Sequence, residues 1–139
     1  MGLVVAILLV GCSAVFAPRV EKSDLVGTWK DSTGHASIEL DADGSASLNG
    51  IPRGAVMGDR DKVYGQPVEL SGAWAYPSSG ELPARTTNGG EKDRYFLITG
   101  NSSWPISPLR VDVAREGGQF VLRWELGDPD SDVWYVLTK

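Results

Sequence analysis

Apolar and polar residues alternate at every second position in one short segment of this chain after another. The clearest segment spans residues 68–76, where Val68, Leu70 and Trp74 lie on one phase and Glu69 lies on the other. A period of two indicates a half-buried β-strand, because successive side chains of a strand point to opposite faces. We therefore expect β-structure, with no convincing helix after the N-terminal segment.

Clusters of Gly, Asp, Asn and Pro separate these segments and are typical of turns. The expected strands span residues 25–30, 36–41, 45–48, 68–76, 95–98, 109–114, 120–126 and 133–137. Their number and even spacing predict an all-β fold, either a small antiparallel eight-stranded barrel or a closed sandwich. Closure is favoured because an open sheet would expose its edges. A barrel of about eight strands is filled by side chains or holds one small ligand.

The longest connection runs from Ile51 to Pro67 and contains two Pro and three Gly. A loop of this length without a regular pattern is uncommon and often functional. The alternative interpretation is a solvated cover over one end of the fold.

Composition excludes several classes of protein. The 139 residues suit a single domain, and their net charge of −5 argues against nucleic acid, which needs a basic face. One Cys excludes an internal disulfide framework, and one Cys with one His provides too few ligands for a Cys/His zinc site.

The first ten residues are almost wholly apolar, and no charged side chain precedes Arg19. This run is shorter than the roughly 20 residues that span a bilayer, and it is typical of the apolar core of a secretory signal peptide. Met1 and Gly2 carry no side-chain charge, whereas a signal peptide begins with a positive region, which leaves open a true start upstream of Met1.

Leu9, Val10, Gly11 and Cys12 resemble the lipobox of bacterial lipoprotein precursors. The resemblance implies cleavage before Cys12, a diacylglycerol on its thiol, and anchorage to the outer face of the bacterial cell membrane. The expected organisation is a signal peptide (1–11), a lipid-anchored tether (12–23) and a β-barrel domain (24–139). The alternative is a buried N-terminal strand with an incidental Cys.

Gly27, Thr28 and Trp29 resemble the G-x-W signature of lipocalins and related calycin barrels. In that family the Trp closes one end of the barrel, and the Gly lets another backbone approach closely. The chain departs from the family because no helix follows the last strand and no Arg follows Trp134 to stack on the signature Trp.

A wider resemblance links the chain to small secreted actinobacterial lipoproteins. It is carried by Leu25–Trp29, Asp43-Gly44, Ser71–Trp74 and Gly127–Asp130. It implies an envelope location and a β fold but no activity. The fold-signature residues are Gly27, Trp29, Gly72, Asp128 and Asp130. Gly72-x-Trp74 also echoes Gly27-x-Trp29, either as a weak internal repeat or because β proteins often contain this pattern.

Five Trp are many for a domain of this size. Trp29, Trp74 and Trp124 fall on the apolar phases of their strands, as core residues or as the walls of a ring-lined pocket. Trp104 lies beside Pro105 in a polar loop, and we expect it either to anchor a partner from an exposed position or to cap a barrel end. The candidate binding residues are therefore Trp74, Trp104 and Trp124.

No residue pattern predicts a catalytic site. His35, the one His, has neither a nucleophile motif nor a carboxylate at a matching spacing. Asp128, Asp130 and Asp132 could wrap a calcium ion, but the Gly and Glu that complete such a loop are missing, and turn formation explains these acids as well. We expect no metal and no cofactor.

Three functions remain open. The first is a non-enzymatic, lipid-anchored barrel that binds a small apolar ligand. The second is a protein-interaction lipoprotein, such as an envelope enzyme inhibitor or an assembly accessory, acting through Trp104 and residues 51–67. The third is an enzyme, which would require two carboxylates and His35 to converge in one cleft.

Overall fold

The computed structural model describes residues 19–59, 65–87, 92–128 and 132–139. The lipobox, most of the tether and Asp130 lie outside these residues. The described elements are α1 (Lys22–Leu25), β1 (Gly27–Lys30), β2 (Ser37–Leu40), β3 (Ser45–Pro52), α2 (Arg53–Val56), β4 (Pro67–Trp74), β5 (Ala84–Thr86), β6 (Lys92–Gly100), β7 (Leu109–Glu116), β8 (Gln119–Glu125) and β9 (Trp134–Thr138).

Eight strands close into an antiparallel barrel in the order β1-β2-β3-β4-β6-β7-β8-β9, and β9 returns to β1. The predicted all-β barrel is confirmed, and it is compatible with a calycin-like architecture. The extra strand, β5, pairs with the first residues of β6 and lies outside the ring. Sequence analysis did not predict β5 because three residues are too few to show a period of two.

Two joints of the barrel are short. Three residue pairs join β4 to β6, ending at Trp74 with Ile98. A single pair, Lys30 with Thr138, joins β1 to β9. By contrast, β3 and β4 pair over seven positions. The strands therefore diverge at both joints, and the barrel wall is concave there.

The apolar phases of the strands point inward and fill the barrel. Trp29 on β1 and Leu122 on β8 are at most 1% exposed. The fully buried side chains also include Leu25, Ile38, Leu40, Leu48, Ile51, Ile98, Leu126 and Leu137. An eight-stranded barrel is either filled by side chains or holds one small ligand, and the interior of this barrel is filled by side chains.

The predicted end of the third strand was wrong, and so was part of the predicted 51–67 loop. Gly50 was expected to end the strand, but it lies at a register shift in β3 and has φ +70°. A Cβ at this position would meet the backbone carbonyl of His35, so Gly lets the bulge pack closely. The strand continues to Pro52, and the helical turn α2 follows it.

Packing of the barrel begins before its expected start at residue 24. Val20, in the expected tether, is only 3% exposed, and the Tyr76 hydroxyl donates to its carbonyl at 2.6 Å. The helical turn α1 follows and buries Leu25. The chain therefore enters the barrel beside the end of β4.

Candidate functional site

Trp29 is buried in the barrel core. Its indole N–H donates to the Leu25 carbonyl at 2.8 Å, and the Lys139 ammonium lies 5.2 Å from its ring centroid. Lys139 also donates to the Asp24 carbonyl at 3.0 Å and passes beside Gly27, where a Cβ would lie 2.9 Å from its Cε. The Lys139 ammonium therefore lies over the Trp29 ring, although no Arg follows Trp134 to stack on it.

Trp74 and Trp124 belong to the core. The Trp74 indole donates to the Asp41 carbonyl at 3.0 Å, and its ring meets Phe96 edge-on at 5.7 Å. The Trp124 indole donates to the Ala55 carbonyl at 2.8 Å, and its ring lies 4.9 Å from that of Tyr135. Both are 4% exposed, so their rings form walls behind surface cavities and do not line an open lumen.

Of the two alternatives for Trp104, an exposed anchor and a cap on a barrel end, the structure does not show the exposed one, because the side chain is only 7% exposed. Its ring lies against Gly72 and Gly100, and its indole N–H donates to the Ser71 carbonyl at 3.0 Å. A Cβ on Gly72 would come within 2.8 Å of Trp104 Cζ2, and one on Gly100 would overlap the ring. The indole therefore packs on two Gly, of which the sequence indicated Gly72 as a fold-signature residue and gave no role to Gly100.

Two of the three acids of the predicted acidic turn lie, like His35, within the described residues. Asp128 is exposed, Asp130 lies outside the described residues, and the Asp132 carboxylate accepts the Trp134 indole N–H at 2.8 Å. His35 is exposed on the β1–β2 turn. Among the described residues, no three His, Cys, Asp or Glu side chains are grouped closely enough to hold a metal ion.

An apolar slit of about 460 Å³ lies where β4 and β6 diverge. It continues past the last β4–β6 pair, between the chain that follows Trp74 and the segment that leads into β5. Leu97, 42% exposed, stands on its wall. The other lining side chains are mostly apolar and include Pro77, Leu82 and Pro83.

A second cavity of about 300 Å³ lies at the barrel end beside Trp124. Met57 and Ile106, 46% and 44% exposed, stand on its rim. Met57 belongs to the predicted 51–67 loop, and Ile106 follows Trp104 by two residues. The two segments proposed from sequence as an interaction surface therefore do meet, through these neighbours.

Ion pairs cover the outer face of the sheet beside that cavity. Asp112 alternates with the core residues Val111 and Val113, so it points away from the core, yet its side chain is 1% exposed. Arg85 from β5 donates to it through Nε at 2.8 Å and also pairs with Glu125 at 3.3 Å. Burial raises the pKa of Asp112 and outweighs the opposing effect of the Arg85 hydrogen bonds.

The third cavity, of about 530 Å³, lies at the β1–β9 joint. The β1–β2 turn and Gly50 flank one side, and Trp134 and Tyr135 of β9 form the other. The Tyr135 hydroxyl donates to Asp31 Oδ2 at 3.1 Å across the joint. Burial alone would raise the pKa of Asp31, but hydrogen bonds from Thr33, Tyr135 and the Ala36 amide outweigh it, and the pKa is lowered.

No protein-family model matches the chain, and no curated protein or solved structure is significantly similar to it. In the part of the chain that the structure describes, no helix is long and apolar enough to cross a membrane. Function must therefore be argued from the three cavities and the N-terminal sequence.

Proposed function

We propose that this chain is a cell-envelope lipoprotein, held at the outer face of the membrane by acyl chains on Cys12, whose barrel binds a small apolar ligand without catalysis. The observation that supports the binding role is the slit beside Leu97. Its volume of about 460 Å³ lies within the usual range of ligand pockets, roughly 300–1,000 Å³. Its mostly apolar lining favours a ligand with little charge.

The position of the slit fits a ligand drawn from a membrane. Tyr76 binds the Val20 carbonyl, and Pro77, the next residue, lines the slit. The chain from Cys12 thus reaches the barrel beside the slit. Arg19 follows Cys12 by seven positions, which extend at most about 25 Å. A lipidated Cys12 would therefore keep the slit close to the membrane surface.

Ligand binding is tested with a neutral naphthylamine dye whose fluorescence rises in apolar surroundings. Purified full-length chain carrying Cys12→Ser should bind the dye, and a fatty acid should displace it. Leu97→Asp should weaken binding at least about tenfold, because it places a charge in an apolar site.

Met57→Asp is the matched control, since Met57 is equally exposed but lies outside the slit. It should leave dye affinity unchanged. Absence of dye binding by the parent chain, or equal losses in both variants, would refute a ligand site in the slit.

Anchoring is tested separately in cells. Cys12→Ser should release the protein into the medium and abolish incorporation of labelled palmitate, whereas the neighbouring Ser13→Ala should do neither. A Cys12→Ser protein that remains in the membrane fraction would contradict lipidation. Dual acylation is the expected anchor because a single acyl chain holds a protein only weakly.

The second candidate function is an interaction with another envelope protein at Met57 and Ile106. It is favoured by two exposed apolar side chains from separate segments on the rim of one cavity. A photo-crosslinking residue at Ile106 should then yield one discrete adduct in cells, whereas the same residue at the exposed Arg115 should not. Equal crosslinking at both positions would argue against it.

A further inference from the structure

Trp134 is the one Trp that the barrel core does not use. It lies on the phase of β9 opposite to the core residues Tyr135 and Leu137, and it is half-buried. Its ring borders the cavity at the β1–β9 joint, the largest of the three described above. An aromatic side chain outside the core, on the wall of a cavity, requires its own explanation.

The indole of Trp134 is held rigidly. Its N–H donates to Asp132 at 2.8 Å, and Asp132 has φ +52°, the only positive φ outside Gly among the described residues. The Arg123 guanidinium lies 4.2 Å from the ring centroid. Such a contact stabilises the ring and fixes its orientation.

An ion pair with Asp93 holds Arg123 in place. It donates to Asp93 Oδ2 through Nε at 3.2 Å and through Nη2 at 2.8 Å. The two side chains are 11% and 5% exposed. Arg123 Nη1 also pairs with Glu116 at 3.4 Å, so two carboxylates hold the guanidinium that contacts the indole.

The opposite rim of the cavity offers polar side chains. Ser32 and His35 line it, and within the described residues their side chains make no hydrogen bond. The Asp31 carboxylate is already used, since it accepts hydrogen bonds from Thr33, Tyr135 and the Ala36 amide. The cavity thus combines an aromatic ring on one wall with side chains on the other that can hydrogen-bond a ligand.

We propose that the cavity at the β1–β9 joint binds a neutral saccharide, with the apolar face of a pyranose ring against Trp134 and its hydroxyls bonded to Ser32 and His35. A pyranose has both a C–H face that packs on an aromatic ring and hydroxyls that donate and accept hydrogen bonds. A purely apolar ligand would leave the Ser32 and His35 side chains without hydrogen-bond partners. This site is separate from the slit and does not depend on it.

The test uses ¹⁵N-labelled full-length chain carrying Cys12→Ser, titrated with the neutral disaccharides cellobiose and N,N′-diacetylchitobiose. At least one should shift the Trp134 indole N–H resonance and the amides of Ser32 and His35. The Trp29 indole resonance should stay in place. Binding of neither sugar at about 50 mM would overturn the proposal, because that lies well above the millimolar affinities of weak sites.

Variants locate the site. Trp134→Ala should weaken sugar binding about tenfold, while Trp134→Tyr, which keeps a ring, should retain most of it. The double variant Ser32→Ala/His35→Ala alters only exposed or lining side chains and should also weaken binding at an unchanged unfolding midpoint. Sugar binding that survives both Trp134→Ala and the double variant would place the site elsewhere and overturn the proposal. Leu97→Asp should leave sugar binding intact, so failure of the slit and failure of this site are distinguishable.

Discussion

Gly100→Ala should destabilise the barrel by trapping the added methyl group against Trp104. The new Cβ would overlap the indole ring, which is 7% exposed. The ring cannot move toward Gly72, because it already packs so closely on that residue that a Cβ there would lie 2.8 Å from Trp104 Cζ2. The indole N–H is also bound to the Ser71 carbonyl at 3.0 Å. Overpacking costs typically 1–3 kcal/mol, and the constraints on both sides favour the upper value, about 3 kcal/mol.

Urea unfolding followed by far-UV circular dichroism measures this cost. With a slope of about 2 kcal/mol/M, a loss of about 3 kcal/mol lowers the midpoint by about 1.5 M. A domain of this size has about 5–15 kcal/mol of stability, so the variant should remain folded.

A double-mutant cycle with Trp104→Leu identifies the cause. The smaller, more flexible Leu leaves room for the methyl group, so Gly100→Ala should cost less than about 0.5 kcal/mol in that background. An equal cost in both backgrounds would refute the packing of the indole on Gly100. It would also restore the alternative in which Trp104 is an exposed anchor for a partner.

Two further predictions concern carboxylates with hydrogen-bonded or ionic partners. The pKa of Asp31 is lowered in the folded state, so its stabilisation is complete above the ordinary value of 3.8 and is lost as pH falls through the lower folded value. Asp31→Asn should therefore flatten the decline of the unfolding free energy below about pH 4, and an unchanged slope would contradict this. Arg123→Met should lower the free energy of unfolding by about 3–5 kcal/mol in urea, because it leaves Asp93 buried without its cation. The control Arg115→Met removes an exposed cation and should cost less than about 1 kcal/mol. Similar losses in the two variants would show that the Arg123–Asp93 pair contributes little.

The sequence predicted the barrel wall well because burial on one face imposes a period of two. Strands such as β4 and β8 carry that pattern over seven or eight residues, which is enough to identify them. The pattern could not reveal β5, whose three residues are fixed by pairing with β6. Nor could it reveal the buried state of Asp112, since period two assigns its phase to solvent and only Arg85, brought in by β5, covers it.

The environments of the Trp residues were harder to predict, because the sequence shows the same letter whether an indole lies in the core, packs on glycines or forms a binding surface. The residues that pack against each indole distinguish these roles. Trp104 is buried because Gly72, distant in sequence, and Gly100, four residues before it, have no side chains to fill the space that its indole occupies. Trp134 stays at the surface because its strand phase points outward, toward Arg123.

The filled core of this barrel also determines where binding can occur. A ring of eight strands has little spare interior volume, and Trp29, Trp74 and Trp124 occupy much of it, so a ligand has no lumen to enter. Concave surface arises where the ring closes by few residue pairs, at β4–β6 and at β1–β9. The slit and the β1–β9 cavity lie at these two joints. The two joints have few residue pairs and therefore few hydrogen bonds, and the same joints provide the barrel with cavities. Lengthening the strand pairing at either joint should remove the cavity beside it.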